Sequence, residues 1–89
     1  MLYDCPDEII NKMCVTDHAS QRMRQRLGIR KSGHKRQAIR AFKNGTIEKE
    51  HSTQESMHLL YHDFIYIFSF NYDDNYPVLL TVFHSKNIG

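Results

Sequence analysis

The chain has 89 residues, 40% of them hydrophobic and 25% charged, which is enough for a single globular domain with a modest core. No apolar run reaches the roughly 18–20 residues of a bilayer-spanning helix, and the acidic N-terminus does not have the pattern of a signal peptide. Cys5 and Cys14 form no Cys-x-x-Cys pair. We expect both to be reduced thiols of a cytoplasmic protein.

The basic residues are concentrated in one third of the chain. Nine Lys and Arg residues and no Asp or Glu lie between His18 and Ile47, although the formal net charge is only +2. Residues 1–17 carry four acids and one Lys, and residues 48–89 carry six acids and two Lys. Such a local excess of positive charge indicates a surface that contacts phosphate.

The first predicted helix follows an N-terminal arm, residues 1–14, which could itself form one or two helical turns. Thr16 and Asp17 are suited to cap a helix that runs from about Asp17 to Leu27 and ends at Gly28. Its apolar residues recur at every fourth position and predict a buried stripe: Ala19, Met23 and Leu27. A second stripe with the same spacing lies beside it: His18, Arg22 and Arg26.

A second helix is predicted from about Gly33 to Asn44, with Ser32 as its cap and Gly45 at its end. Its apolar positions predict a core-facing side: Ala38, Ile39 and Phe42. Its basic residues lie outside this side: Lys35, Arg36, Arg40 and Lys43.

After Gly45 the pattern changes to alternation of polar residues with β-branched and aromatic ones, which favours strands. Thr46–Glu50 is a weak strand suited to a sheet edge. Three stronger strands follow: Met57–Tyr61, Phe64–Phe70 and Val78–Phe83. Phe64–Phe70 is apolar on both faces and should be central, and the short connections imply antiparallel pairing. We therefore predict an α+β fold, in which two or three N-terminal helices pack on a three- to four-stranded antiparallel sheet. The basic helical hairpin spans residues 15–45 and the sheet residues 46–85.

Metal-independent cleavage of RNA requires a base, an acid and cations at the phosphate, and His and Arg supply these groups. His18 and Arg22 are separated by one helical turn and are candidates. His84 could supply a second titrating group. In a regular strand, however, Thr81 and His84 point to opposite faces.

Structural explanations compete with each of these assignments. Arginines on a helix usually form a solvated face, and Arg22 could cover neighbouring apolar residues with its stem. His58 and His62 have a helical metal-ligand spacing but are predicted on or beside a strand, roughly 13 Å apart. We therefore predict no metal site and no cofactor. The aromatic residues of the sheet belong mostly to the core, although one or two could stack on bases.

The chain resembles a family of small bacterial and phage proteins with a His-Ala-x-x-Arg motif in the first helix. The resemblance rests on Thr-Asp-His-Ala-x-x-Arg-Met-x-x-Arg-Leu-Gly-Ile at 16–29, on Ala-x-x-Asn-Gly at the end of the second helix, and on the strands Tyr-Ile-Phe and Leu-Leu-Thr-Val-Phe. This family is grouped with the barnase–EndoU–colicin D–RelE-like superfamily of metal-independent ribonucleases and toxins. The resemblance spans about residues 15–84 and implies helices on a twisted antiparallel sheet that approaches RNA. His18, Arg22 and Thr81 match its motifs, and Arg26 matches a common second arginine.

The first hypothesis for function is a small basic RNA-binding protein that acts as a toxin-type endoribonuclease, with an antitoxin as a further partner. The candidate catalytic residues are His18, Arg22, Arg26, Thr81 and His84. The candidate nucleic-acid-binding residues are Arg24, Arg30, Lys31, Lys35, Arg36, Arg40 and Lys43. A second hypothesis is a non-catalytic phage-type inhibitor or accessory protein that binds a nucleic acid or a nucleoprotein complex. A third is an oligomeric scaffold that uses the aromatic sheet edge.

Overall fold

The computed structural model describes residues 7–48, 52, 56–71 and 76–87. These residues form an α+β fold in which three helices pack on an open five-stranded sheet. The helices are α1 (Asp7–Ile10), α2 (Asp17–Arg22) and α3 (His34–Asn44). The strands are β1 (Cys14–Val15), β2 (Thr46–Ile47), β3 (Met57–Tyr61), β4 (Phe64–Asn71) and β5 (Tyr76–His84). No helix in this described part of the chain is long and apolar enough to cross a membrane.

The sheet is mixed, with the strand order β1-β5-β4-β3-β2. The predictions that β4 is central and that the Thr46 strand lies at an edge are confirmed. The prediction of a purely antiparallel sheet of three or four strands is wrong, because β1 pairs with β5 in parallel. β1 has only two residues and is too short to show the alternation that identifies a strand. The sequence pattern instead predicts that Cys14 ends a short helical segment.

The first predicted helix is confirmed in its extent and at both ends. The Thr16 hydroxyl accepts a hydrogen bond from the Ala19 amide and donates one to the Leu80 carbonyl, each at 3.1 Å. The cap therefore also attaches the start of α2 to β5. Beyond α2 the helix continues as a π-helical turn over Met23–Leu27. It ends at Gly28, which adopts the left-handed conformation with a φ of +66°. The sequence pattern did not predict the π turn.

The second predicted helix is confirmed, but its proposed cap is wrong. A 3₁₀ turn over Lys31–Gly33 precedes α3, and Gly33 occupies the cap position without a side-chain hydrogen bond. Ser32 lies inside the 3₁₀ turn, where it cannot act as the N-cap. Because the helix then begins at His34, this histidine occupies the first turn of α3 and is buried.

The core lies between the helices and one face of the sheet. The predicted core residues Ala19, Met23, Ala38 and Phe42 are all buried, and the Phe42 ring packs edge-on against Phe68 at 5.2 Å. The sheet contributes residues from its three longest strands: Met57, Leu59, Tyr66, Phe68, Leu79 and Val82.

A bulge at Leu80 sets which residues of β5 face the helices. Ile67 pairs with Thr81 and Phe68 with Leu79, so Leu80 has no partner of its own in β4. The extra residue allows Leu79 and Val82 to lie on the same, buried face despite their spacing of three. Thr81 is thereby placed on the opposite face, beside Ile67.

Candidate nucleic-acid interface

The nine cations of the basic segment are almost all exposed, and few of them pair with an acid in the described part of the chain. Eight are exposed, and Arg22 is half-buried. Among the residues that the structure describes, the only ion pair joins Lys43 Nζ to Asp7 Oδ1 at 3.2 Å. No carboxylate of the described residues therefore lies at ion-pair distance from the remaining eight cations. We call the segment from the start of α2 to the end of α3, residues 17–44, the basic surface.

The cations of α3 form an ordered stripe. Arg36, Arg40 and Lys43 are spaced by four and three residues, which places them on one side of the helix. The buried residues Ala38 and Phe42 lie on the other side. The predicted division of α3 into a core side and a basic side is therefore confirmed. Arg30, Lys31 and Lys35 are exposed at the beginning of the same region.

The His18–Arg22–Arg26 stripe lies on the flank of α2 nearest to β5, and its members have different partners. Arg26 Nη1 donates to the Val82 carbonyl oxygen at 3.3 Å. Arg22 Nη1 donates to Gln25 Oε1 at 3.1 Å. His18 is exposed, and in the described part of the chain it has no hydrogen bond. His18 and Arg22 are thus available to a ligand, whereas Arg26 already has a backbone partner.

Among the described residues, no side-chain hydrogen bond, ion pair or ring contact joins the predicted catalytic residues of β5 to this stripe. Thr81 lies on the face of the sheet away from the helices. His84 packs against the Phe64 ring at 5.1 Å, and its Nδ1 accepts a hydrogen bond from the Lys86 amide at 3.1 Å. Because the bulge precedes Thr81, the strand is regular from Thr81 to His84 and the two side chains remain on opposite faces.

A cleft between α2 and the beginning of α3 was not predicted. Its volume is about 530 Å³, and it adjoins the His18 stripe at Gln25, which lines the cleft and accepts the hydrogen bond from Arg22. The lining residues are Asp17, Ser20, Gln21, Arg24, Gln25, Lys31 and His34. Arg24 and Lys31 are both predicted to bind nucleic acid, but no pattern in the sequence indicates that they line the same cleft.

His34 is the buried member of this lining, with 2% of its surface exposed. Its Nε2 is 2.7 Å from the Ile29 carbonyl oxygen. Since a carbonyl only accepts, Nε2 carries the proton and donates. The other ring nitrogen, Nδ1, is buried without a hydrogen-bond partner. In the sequence, His34 lies four residues before Ala38 and eight before Phe42. This helical spacing could have identified His34 as a residue that faces the core.

A buried tyrosine lies beneath α3 in the middle of the sheet. The Tyr66 hydroxyl accepts a hydrogen bond from Gln37 Nε2 at 3.1 Å. Burial raises the pKa of Tyr66 above 10.0; the hydrogen bond from Gln37 acts in the opposite direction, and the charge of Tyr61 adds to the increase. The Tyr66 side chain is therefore a neutral core group at physiological pH.

The described residues contain no group of three or more His, Cys, Asp or Glu side chains placed to hold a metal ion. His58 lies in β3, and His62 lies in the turn that follows it, stacked edge-on against Tyr61 at 4.2 Å. His58 therefore lies in the predicted strand, and His62 lies directly after its end.

No protein-family model, no curated protein and no solved structure matches the chain. The resemblance to the His-Ala-x-x-Arg family therefore stays a prediction.

Proposed function

We propose that the protein binds single-stranded RNA through its basic surface. The observation that carries this proposal is the excess of cations: nine Lys and Arg residues, of which one is ion-paired within the described residues. The cations of this surface repel one another. Contact with closely spaced phosphates would reduce this repulsion and release the counterions condensed on the RNA. The motif resemblance favours RNA over DNA as the partner.

Metal-independent cleavage of the bound RNA is the second candidate function. His18 supports it, because this histidine is exposed, has no hydrogen bond to another described residue and lies one turn from Arg22. Thr81 and His84 do not support it, since no hydrogen bond or ring contact between described residues joins either of them to His18. Binding without cleavage is therefore the primary proposal, and this reading includes an accessory protein or inhibitor that acts on a nucleoprotein.

The binding proposal is tested with two double variants that remove the same amount of charge. Lys35→Gln/Arg36→Gln removes two exposed cations from the basic surface, and Lys12→Gln/Lys86→Gln removes two exposed cations outside it. We expect the first variant to weaken binding of a labelled 12-nucleotide RNA about tenfold and the second to weaken it less than twofold. Equal losses would show that net charge, not this surface, determines binding.

Cleavage is tested by incubating labelled RNA with the protein in EDTA, alongside His18→Ala and Arg22→Ala. Product formed by the wild type and lost in both variants would establish a ribonuclease with His18 as its acid or base. Tight binding without product, retained in His18→Ala, is the result that the primary proposal predicts.

A further inference from the structure

We propose that the cleft between α2 and the beginning of α3 holds one nucleoside monophosphate unit of the bound RNA. This inference rests on the proposed function and adds a defined subsite to it. The volume of about 530 Å³ lies within the range of roughly 300–1,000 Å³ found for small-molecule sites.

The charges of the cleft fit a ligand that has an anionic part and a donor-rich part. Arg24 and Lys31 are exposed cations without acidic partners among the described residues. Asp17 is the only acid in the lining. A bare anion would be attracted by the two cations and repelled by the carboxylate, whereas a nucleotide can place its phosphate at the cations and its base N–H groups at Asp17.

The remaining polar lining residues suit the same ligand. Ser20 and Gln21 can each donate and accept hydrogen bonds, as the edges of a base and the ribose hydroxyls require. Gln25 is held by the hydrogen bond that its Oε1 accepts from Arg22. This contact leaves the amide nitrogen of Gln25 as a donor to the ligand.

His34 is an independent indication that a ligand belongs in this cleft. Its ring is fixed by the hydrogen bond to Ile29, and Nδ1 is left as a buried acceptor without a donor. An unsatisfied buried acceptor is unfavourable, because it has lost its hydrogen bonds to water. Nδ1 itself is not solvent-accessible, so a ribose hydroxyl or base amine would satisfy it only where binding uncovers that edge of the ring.

The π-helical turn contributes two residues to the cleft. Arg24 and Gln25 both lie within Met23–Leu27. A π turn widens the helix and changes the direction of the side chains that follow it, and such turns occur frequently at functional sites. The local irregularity of this helix therefore coincides with the cleft wall.

The probe for this proposal is guanosine 3′-monophosphate, because a guanine base presents two neighbouring N–H groups that one carboxylate can accept together. We expect it to bind at least tenfold more tightly than inorganic phosphate or guanosine, as measured by NMR titration. Binding should shift the ¹⁵N resonance of His34 Nδ1. Arg24→Gln should weaken binding at least fivefold, whereas Lys86→Gln, which removes an exposed cation outside the basic surface, should leave mononucleotide binding unchanged.

Each alternative outcome has a defined meaning. If inorganic phosphate binds as tightly as the nucleotide, the cleft is a simple anion site and the proposal is wrong. If the protein binds RNA but the nucleotide does not shift the His34 resonance, the subsite is wrong while the proposed function stands. Failure to bind RNA would instead contradict the function itself. Because Arg24 is exposed, its variant is expected to fold, and urea unfolding checks this.

Discussion

Arg26 donates a hydrogen bond from Nη1 to the carbonyl oxygen of Val82, 3.3 Å away. β1 pairs with β5 only at Val78 and Leu79, so the outer edge of β5 beyond these residues has no neighbouring strand in the described part of the chain. Thr16 satisfies the Leu80 carbonyl on this edge, and Arg26 satisfies that of Val82. Both ends of the first helix are therefore attached to the unpaired edge of β5.

Arg26 should consequently contribute to stability, whereas Arg22 should not. We expect Arg26→Ala to lower the free energy of unfolding by about 1 kcal/mol, since it removes a charged donor from a partly buried carbonyl. Arg22→Ala, which removes a hydrogen bond to an exposed glutamine, should change it by less than about 0.5 kcal/mol. Urea unfolding of both variants measures the difference, and equal effects would mean that the Val82 contact is not significant.

Ionisation of Tyr66 should lower the free energy of unfolding at high pH. Its pKa is raised in the folded protein, so the folded state retains the proton after the unfolded chain, with a pKa near 10, has begun to lose it. The stabilisation is complete below the unfolded pKa and is lost as the pH rises through the folded pKa.

The matched comparison is Tyr66→Phe, measured by thermal unfolding. At pH 7 this variant should be less stable by about 1 kcal/mol, because the Gln37 amide loses its acceptor. The difference from the wild type should shrink as the pH rises above the unfolded pKa near 10. A constant difference over this range would show that Tyr66 ionises equally in both states.

Gly45 should tolerate substitution poorly, although its φ of −69° suits any residue. A Cβ atom at this position would lie 2.6 Å from the Ala41 carbonyl oxygen and 3.1 Å from Leu59 Cβ. We expect Gly45→Ala to cost about 1–3 kcal/mol through overpacking. Gly28→Ala is the comparison, because that position has a positive φ but no atom within 4 Å of the added Cβ. It should cost about 1 kcal/mol through backbone strain alone. Urea unfolding measures both variants. An unchanged free energy of unfolding in Gly45→Ala would contradict this account.

The turn between β3 and β4 should be open to stabilisation. His62 and Asp63 have φ values of +48° and +68°, the pattern of a type I′ turn, in which Asn-Gly is preferred. His62→Asn/Asp63→Gly should raise the free energy of unfolding by about 0.5–1 kcal/mol and keep the hydrogen bond that the Asp63 carbonyl accepts from Ser85. Thermal unfolding measures the gain, and a lower melting temperature would show that the contact of His62 with Tyr61 outweighs the strain.

Local patterns predicted most of the fold because each element carries its own signals. Thr16 and Gly28 mark the ends of the first helix, and the apolar β4 was identified as central from its composition alone. The parallel strand β1 was missed because two residues show no periodicity. The bulge at Leu80 was missed because it depends on how Leu79 and Val82 pack against the helices.

The candidate site was predicted in its composition but not in its arrangement. The excess of cations is visible in the sequence, whereas the division of α2 into two flanks is a tertiary feature. Arg26 faces the edge of β5, and Arg24 faces Lys31 and His34 across a cleft. No sequence spacing links Arg24 to His34, because the loop at 28–33 determines how the helices meet.

The salt dependence of RNA binding tests the central claim most directly. If four to six phosphates of a single-stranded RNA are neutralised by the basic surface, the slope of log K against log salt concentration should be roughly −3 to −4. The Lys35→Gln/Arg36→Gln variant should have a shallower slope by about 1 to 1.5, since it removes two phosphate contacts. A flat dependence for the wild type, or the same slope in the variant, would contradict phosphate binding by this surface.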